Sequence, residues 1–200
     1  GGLENSNAPG IGEIVVHDNG GIIVALHKEQ NAYVPDMIFE LRAGSNFDDT
    51  EDSIGTGQNG EGAALTAIFS TNFSVITADG KKRFEQTRTN NGRDKTEAKV
   101  SGSTKNFTQI SFIPDYPKFG LEGLDEDNYQ RLVKRVYDVA GCNPNLKVYL
   151  NDSLIKIGAF DDYVGMYVEE FVSCSNEHWR IAVSRSDSGF QHVSFVNGTE

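Results

Sequence analysis

Cysteine, methionine and tryptophan are scarce in this sequence, at two, two and one in 200 residues. Cys142 and Cys174 have no metal-ligand spacing, and a reduced intracellular compartment is the simpler reading. No apolar run approaches the ~18 residues that a membrane span needs. The first ten residues, GGLENSNAPG, are too polar and glycine-rich for a signal peptide. Basic charge is also short, with 18 Lys and Arg against 29 Asp and Glu and a net charge of −11. That balance argues against a nucleic-acid-binding face across the whole chain but leaves room for a local patch. Lys81-Lys82-Arg83 and Lys134-Arg135 are the basic clusters, and solvated faces explain both. The sequons at Asn72, Asn106, Asn151 and Asn197 read as chance, because nothing else points to secretion. With 38% hydrophobic and 24% charged residues, what remains is an ordinary globular composition, long enough for one domain or slightly more.

Glycine is abundant, and one stretch concentrates it. Gly55, Gly57, Gly60 and Gly62 lead straight into Ala63-Ala64-Leu65-Thr66-Ala67-Ile68-Phe69, a run of good helix formers. Glycines let other groups approach the backbone closely. A helix that starts at once aims its unsatisfied N–H groups and positive dipole end at the loop. Together they make an anion cradle, with phosphate the foremost candidate. A flexible surface loop before a buried helix gives the same pattern.

Along the chain, Gly12 to His17 is short and β-branched and reads as a strand, ending in the turn Asp18-Asn19-Gly20-Gly21. A carboxylate at the end of a buried strand can accept hydrogen bonds from a ligand amino group; a plain Asx turn is the other reading. Val34 to Arg42 is expected to form a helix with Pro35 in its first turn. The acidic run from Asp48 to Asp52 lacks the alternation of a calcium loop and reads as solvated. Phe73–Thr77 and Arg83–Thr89 read as a hairpin turned by Asp79-Gly80. Residues 90–104 are expected to be loop with one irregular strand, and Phe107–Ile113 alternates as a strand. Asp125 to Ala140 is the clearest helix, with Tyr129, Leu132, Val133, Val136, Tyr137 and Ala140 on one stripe, a cap at Asp125 and an end at Gly141. Leu146–Leu150 is a strand turned by Asn151-Asp152, and Phe160–Phe171 a second helix. Trp179–Ser184 and Phe190–Val196 are expected to pair as a hairpin through Asp187-Ser188-Gly189. The order of elements predicts an α+β sandwich. His17, His27, His178 and His192 have no paired nucleophile in sequence and read as structural or surface residues.

Several words of the sequence carry a resemblance. Asp18-Asn19-Gly20-Gly21-Ile22 resembles the D-x-G-x-G box of the GHKL ATPases. His27-Lys28-Glu29, Tyr33 to Phe39, Ser45 to Asp49, Thr56 to Ala63 and Ile68 to Thr71 are similar to type II DNA topoisomerases, in their eukaryotic and large-virus form more than as bacterial gyrase. Phe112 to Asp115, Arg135 to Gly141 and Gly189 to Asn197 match the same family, so the likeness runs in unbroken order over roughly residues 12–198.

The resemblance implies a GHKL-type α/β sandwich, a mixed sheet with helices on one face, over residues 1–172, and the start of a transducer domain over 173–200. It implies ATP with Mg2+ as cofactor. Asp18 would contact the adenine amino group, Gly20 and Gly21 would line the base pocket, and Thr108 would stand at its back. Ser45 and Asn46 would touch ribose or phosphate. The backbone of Gly57, Gln58, Asn59, Gly60, Gly62 and Ala63 would wrap the phosphates. The parent enzyme would be an ATP-dependent topoisomerase, homodimeric, intracellular and DNA-associated, in the nucleus of a eukaryote or the host cytoplasm for a virus, with no membrane partner. Departures motivate an alternative, a catalytically inactive GHKL-like nucleotide-binding or interaction module. The box is one residue short, Ile23 stands where proline is usual, and Ala64 where a lysine is frequent. Glu4-Asn5-Ser6 echoes the motif of the catalytic glutamate and magnesium-binding asparagine, but a helix and a returning strand do not fit before Asp18. No catalytic residue and no metal ligand is therefore assigned, and weak or absent hydrolysis is expected of the chain alone.

Overall fold

An antiparallel sheet of six strands organises the first half of the protein. In the computed structural model, residues 12–28, 30–39 and 61–196 are described. The chain divides into two compact units, Gly1–Glu126 and Asp127–Glu200.

In the first unit, β1 (Ile14–Asp18) is followed by the short β2 (Leu26–His27) and β3 (Ala32–Tyr33), then α1 (Val34–Met37) and α2 (Gly62–Ile68). β4 (Ser70–Asp79), β5 (Lys82–Thr89), β6 (Asp94–Lys95), β7 (Lys99–Gly102) and β8 (Asn106–Pro114) complete it, with a 3-10 turn at Tyr116–Phe119. The sheet runs β1-β8-β4-β5-β6, and β7 also pairs with β5. Chain neighbours β4 and β5 are joined by the expected Asp79-Gly80 turn, where Gly80 takes φ 84°. Only glycine enters that region without strain.

Alternation along the strands makes one core face. Phe73 and Val75 of β4 and Phe84 of β5 pack with Val24, Phe39 and Ala67 of α2. Phe73 and Phe84 are essentially sealed from solvent, which stabilises the unit by roughly 2–3 kcal/mol for each ring. The face carries one buried ion cluster. Arg88 Nη2 donates to Asp36 Oδ1 at 2.5 Å, and Lys95 Nζ to Asp36 Oδ2 at 2.9 Å. This clasp ties α1 to β5 and β6.

The second unit packs α3 (Glu126–Cys142) with the hairpin β9 (Tyr149–Leu150) and β10 (Ser153–Leu154), and with α4 (Phe160–Val164). Its core gathers Ala140, Val148, Ile155, Ile157 and Tyr163. Asn151 and Asp152 both take positive φ, 45° and 62°, in the tight turn of that hairpin. β11 (Val172–Ser175) and β12 (Arg180–Val183) form a separate ribbon. The elements make an α+β protein, and every described strand pairing is antiparallel.

Six local expectations change, the first being that the strand expected over Leu146–Leu150 forms only at Tyr149–Leu150. Gly141 does not end α3; it lies inside the helix, where a Cβ would stand 2.4 Å from the Tyr163 ring. Its role is close approach rather than a cap. Helix α4 stops at Val164 instead of reaching Phe171. Helix α1 spans only Val34–Met37, and residues 40–42 lie outside the described residues. Residues 90–104 hold two short strands, β6 and β7, rather than one. β12 pairs with Val172–Ser175 and not with Phe190–Val196. The cause is Asn176, whose Oδ1 accepts from the N–H groups of His178 and Trp179, both at 2.8 Å, and turns the chain back earlier. Among the described residues no helix is long and apolar enough to cross a membrane.

Candidate functional site

Register puts three polar side chains in a row at one end of the sheet. Asp18 of β1 stands opposite Thr108 of β8, and Thr108 opposite Thr77 of β4. Thr77 is completely buried, Thr108 nearly so, and Asp18 is exposed. The row thus runs from the core to an open edge, with the carboxylate outermost.

The segment after β1 is laid across this row and fastened to it. Thr108 Oγ1 donates to the Gly20 carbonyl at 2.6 Å. The Ile22 N–H donates to Thr77 Oγ1 at 2.9 Å, and Thr77 and Thr108 hydroxyls are 2.9 Å apart. The Val24 N–H donates to Asp79 Oδ2 at 2.9 Å, and Asn106 Nδ2 donates to the Asn19 carbonyl at 3.3 Å. Gly21 explains itself in this geometry. A Cβ there would lie 2.1 Å from the Ala78 carbonyl oxygen and 2.2 Å from Asn106 Oδ1, so only a hydrogen fits. Its requirement is proximity, since Gly21 is not among the described glycines with positive φ.

Asp18 itself forms the Asx turn that was one of the two readings of D-N-G, its Oδ1 accepting from the Gly20 N–H at 2.7 Å. A carboxylate has about four acceptor positions on two oxygens. One bond therefore leaves capacity for a ligand donor. The Thr108 proton is committed to Gly20, so this hydroxyl is left only as an acceptor for any further partner. The pair Asp18 and Thr108 suits a group that offers N–H donors, such as an exocyclic amine on a flat base.

Asp79, the turn residue of the β4–β5 hairpin, holds two structures at once. Besides Val24, it accepts from the N–H groups of Lys81 and Lys82 at 2.9 and 2.7 Å. The backbone donors, with Lys82 first and Val24 next, lower its pKa to about 2. Its partner Val24 is 55 positions away, so no local pattern reveals the contact.

Gly62 and Ala63 open α2. Gly62 is exposed with open space where a Cβ would be, and Ala63 packs against the core. Ala64, at the position where lysine was noted as frequent, is fully buried and packs rather than presents a cation. Ser45, Asn46, Gly57, Gln58, Asn59 and Gly60 lie outside the described residues, as do Glu4, Asn5 and Ser6. Asp18, Gly20, Gly21 and Thr108 are thus the members of the expected set that come together. Among the described residues no three His, Cys, Asp or Glu side chains gather as metal ligands. His17 stacks on Phe107 with ring centroids 5.5 Å apart, a packing role.

Comparison with known proteins gives this geometry a context. No family model matches the chain. The chain is 43% identical over 204 residues to "DNA topoisomerase 2" of Bombyx mori and 42% identical over 201 residues to "DNA topoisomerase 2" of Acanthamoeba polyphaga mimivirus, with 92% and 93% of the chain covered. It is 40% identical to "Probable DNA topoisomerase 2" of Dictyostelium discoideum over 196 residues, 92% of its length. It spans only about 13 to 16% of the length of these relatives. Among solved structures, the ATPase region of Saccharomyces cerevisiae topoisomerase II superposes with a TM-score of 0.88 at 35% identity, covering 93% of this chain and 52% of that one. The ATPase and transducer domains of DNA topoisomerase II from Balamuthia mandrillaris give 0.87 at 34% identity, covering 93% and 50%. Sequence and fold thus agree over nearly the whole chain: it belongs to the type II DNA topoisomerase family and corresponds to part of the ATPase region.

Proposed function

We propose that this chain binds ATP at the edge built by Asp18, the segment to Val24 and β8, and that it is the core of an ATP-operated clamp driving DNA strand passage in a type II DNA topoisomerase. The observation that carries the reading is the row of Asp18 and Thr108, two acceptors at hand beside a backbone that Gly21 lets lie flat on the sheet. Asp18 accepts from the adenine amino group, Gly20 and Gly21 line the base pocket, and Thr108 accepts from the base or from a bridging water. Ser45 and Asn46 take ribose or phosphate. The backbone of Gly57, Gln58, Asn59, Gly60, Gly62 and Ala63 wraps the phosphates. Mg2+ carried by the nucleotide would supply charge neutralisation at the phosphates.

In the full-length protein the partners are DNA and a second copy of the chain, and the location is intracellular beside DNA. Residues 1–172 act as the ATP-binding domain, and 173–200 begin the transducer. The names of the relatives and the likeness to solved topoisomerase II ATPase regions support this reading. A second reading, a catalytically inactive GHKL-like nucleotide-binding or interaction module, draws on the shortened box and on buried Ala64.

Calorimetric titration of a non-hydrolysable ATP analogue with magnesium, beside the Asp18→Ala variant, separates them. Saturable binding by the wild type that the variant loses is the expected result. A folded wild-type chain that binds no adenine nucleotide overturns the first reading and favours the second.

A further inference from the structure

The basic cluster at Lys81 gains a neighbour in three dimensions. Strand pairing sets the β4–β5 turn beside the β7–β8 connection. The Gly80 N–H donates to the Lys105 carbonyl at 2.8 Å, and the Ser103 N–H to the Lys81 carbonyl at 3.0 Å. Lys82 stands opposite Gly102 in the β5–β7 ladder. Lys81, Lys82 and Lys105, distributed over two connections, therefore share one edge, and all three are exposed.

None of the three forms an ion pair among the described residues. Both oxygens of Asp79 are occupied by backbone N–H groups. Arg83 is held by Glu85 at 3.0 Å. Open space surrounds Gly80 and Gly102, where an added Cβ would meet nothing within 4 Å. On a chain of net charge −11, three exposed lysines beside the single carboxylate of Asp79 leave this edge locally positive among the described residues.

We propose that this edge docks the sugar–phosphate backbone of duplex DNA. The proposal rests on the reading of DNA as the partner of the full-length protein. The chemistry of the edge favours a polyphosphate over an acidic protein. Residues 79–82 and 101–105 offer three ammonium groups against the one carboxylate of Asp79, with Ser and Thr hydroxyls and glycine backbone, and no aliphatic or aromatic side chain. Such groups meet phosphate oxygens in protein–DNA complexes. Protein–protein interfaces instead centre on aromatic and apolar anchors and are depleted of lysine.

Fluorescence anisotropy of a labelled short duplex, titrated with the chain at several salt concentrations, tests the proposal. The wild type is expected to bind with an affinity that falls steeply with salt. The Lys81→Ala/Lys82→Ala/Lys105→Ala variant is expected to lose about tenfold in affinity at low salt and about two to three units of log–log salt slope, near 0.9 per phosphate contact. Lys147→Ala/Lys156→Ala, which removes two exposed charges from the second unit, is expected to change neither. Equal affinity and slope in the triple variant, or no duplex binding by the wild type, overturns the proposal. So does competition by poly-glutamate as effective per charge as by duplex, which makes the edge an acidic-protein site. Nucleotide-analogue titration of the same proteins separates the two readings. Nucleotide binding without duplex binding sinks only this inference, whereas loss of nucleotide binding in the wild type sinks the function it rests on.

Discussion

Gly21 in the first unit and Gly141 in the second both stand where a side chain has no room. An added Cβ would lie 2.1 Å from the Ala78 carbonyl at one and 2.4 Å from Tyr163 Cγ at the other. Their surroundings are opposite. Around Gly21 the neighbours are polar, a backbone carbonyl and the Asn106 amide, at the open end of a sheet. Around Gly141 the neighbour is an aromatic ring in a core with Ala140, Val148, Ile155 and Ile157. Below that ring the Tyr163 hydroxyl donates to buried Asp138 at 2.7 Å, and Lys134 reaches the same carboxylate at 2.9 Å. Burial of the ring raises the Tyr163 pKa far above its ordinary value, with the bonds to Tyr167 and Asp138 adding to it, so the hydroxyl remains a donor. One glycine lies against polar groups at the open end of a sheet; the other seals packing. Close approach by itself does not mark a functional position, and the polarity of what is approached tells the two apart.

The contrast can be broken by substitution. Gly141→Val should give the largest effect, a loss of about 3 kcal/mol of unfolding free energy from overpacking against Tyr163. Urea denaturation followed by circular dichroism reads it, and a loss below about 1 kcal/mol would mean that the ring simply moves aside. Gly21→Ala should act mainly on binding. The loop has to lift from Ala78, and affinity for an ATP analogue should fall about tenfold, close to 1.4 kcal/mol, with a smaller change in stability than Gly141→Val. If the two variants instead lose stability equally and binding not at all, the division between the glycines is wrong.

The smallest effect concerns Asp79. Its pKa is depressed to about 2 in the folded protein. A depressed carboxylate favours folding above its unfolded value, near 4, and that contribution is lost as pH falls from about 4 through about 2. Unfolding free energy measured across this window should decline less in Asp79→Asn than in the wild type. Parallel curves for the two proteins would show that the carboxylate charge does not fasten Val24 and the lysine turn.

Much of the sheet is legible in the sequence because its signals are local. β1 is a β-branched run before a turn, β4 and β5 flank Asp79-Gly80, and β8 alternates until Pro114-Asp115. Helix α3 shows through its apolar stripe. What escapes reading depends on distant or subtle partners. Gly141 looks like a helix stop until Tyr163 is seen against it. Asp187-Ser188-Gly189 looks like a hairpin turn, and Gly189 does take φ 87°, but the Asx turn at Asn176 has already given β12 its partner. At the site, local reading leaves D-N-G between turn and ligand contact. Family resemblance supplied the partnership of Asp18 with Thr108, and strand register then gave it a physical basis.

The four fastenings of residues 19–24 have a consequence for recognition. Hydrogen bonds to Thr77, Thr108, Asp79 and Asn106 hold this stretch in one shape before any nucleotide arrives. Ordering a free backbone costs about 1–2 kcal/mol per residue in conformational entropy. Here that cost belongs to folding rather than to association, so a base bound as proposed above would meet a preorganised wall and not a loop that closes around it.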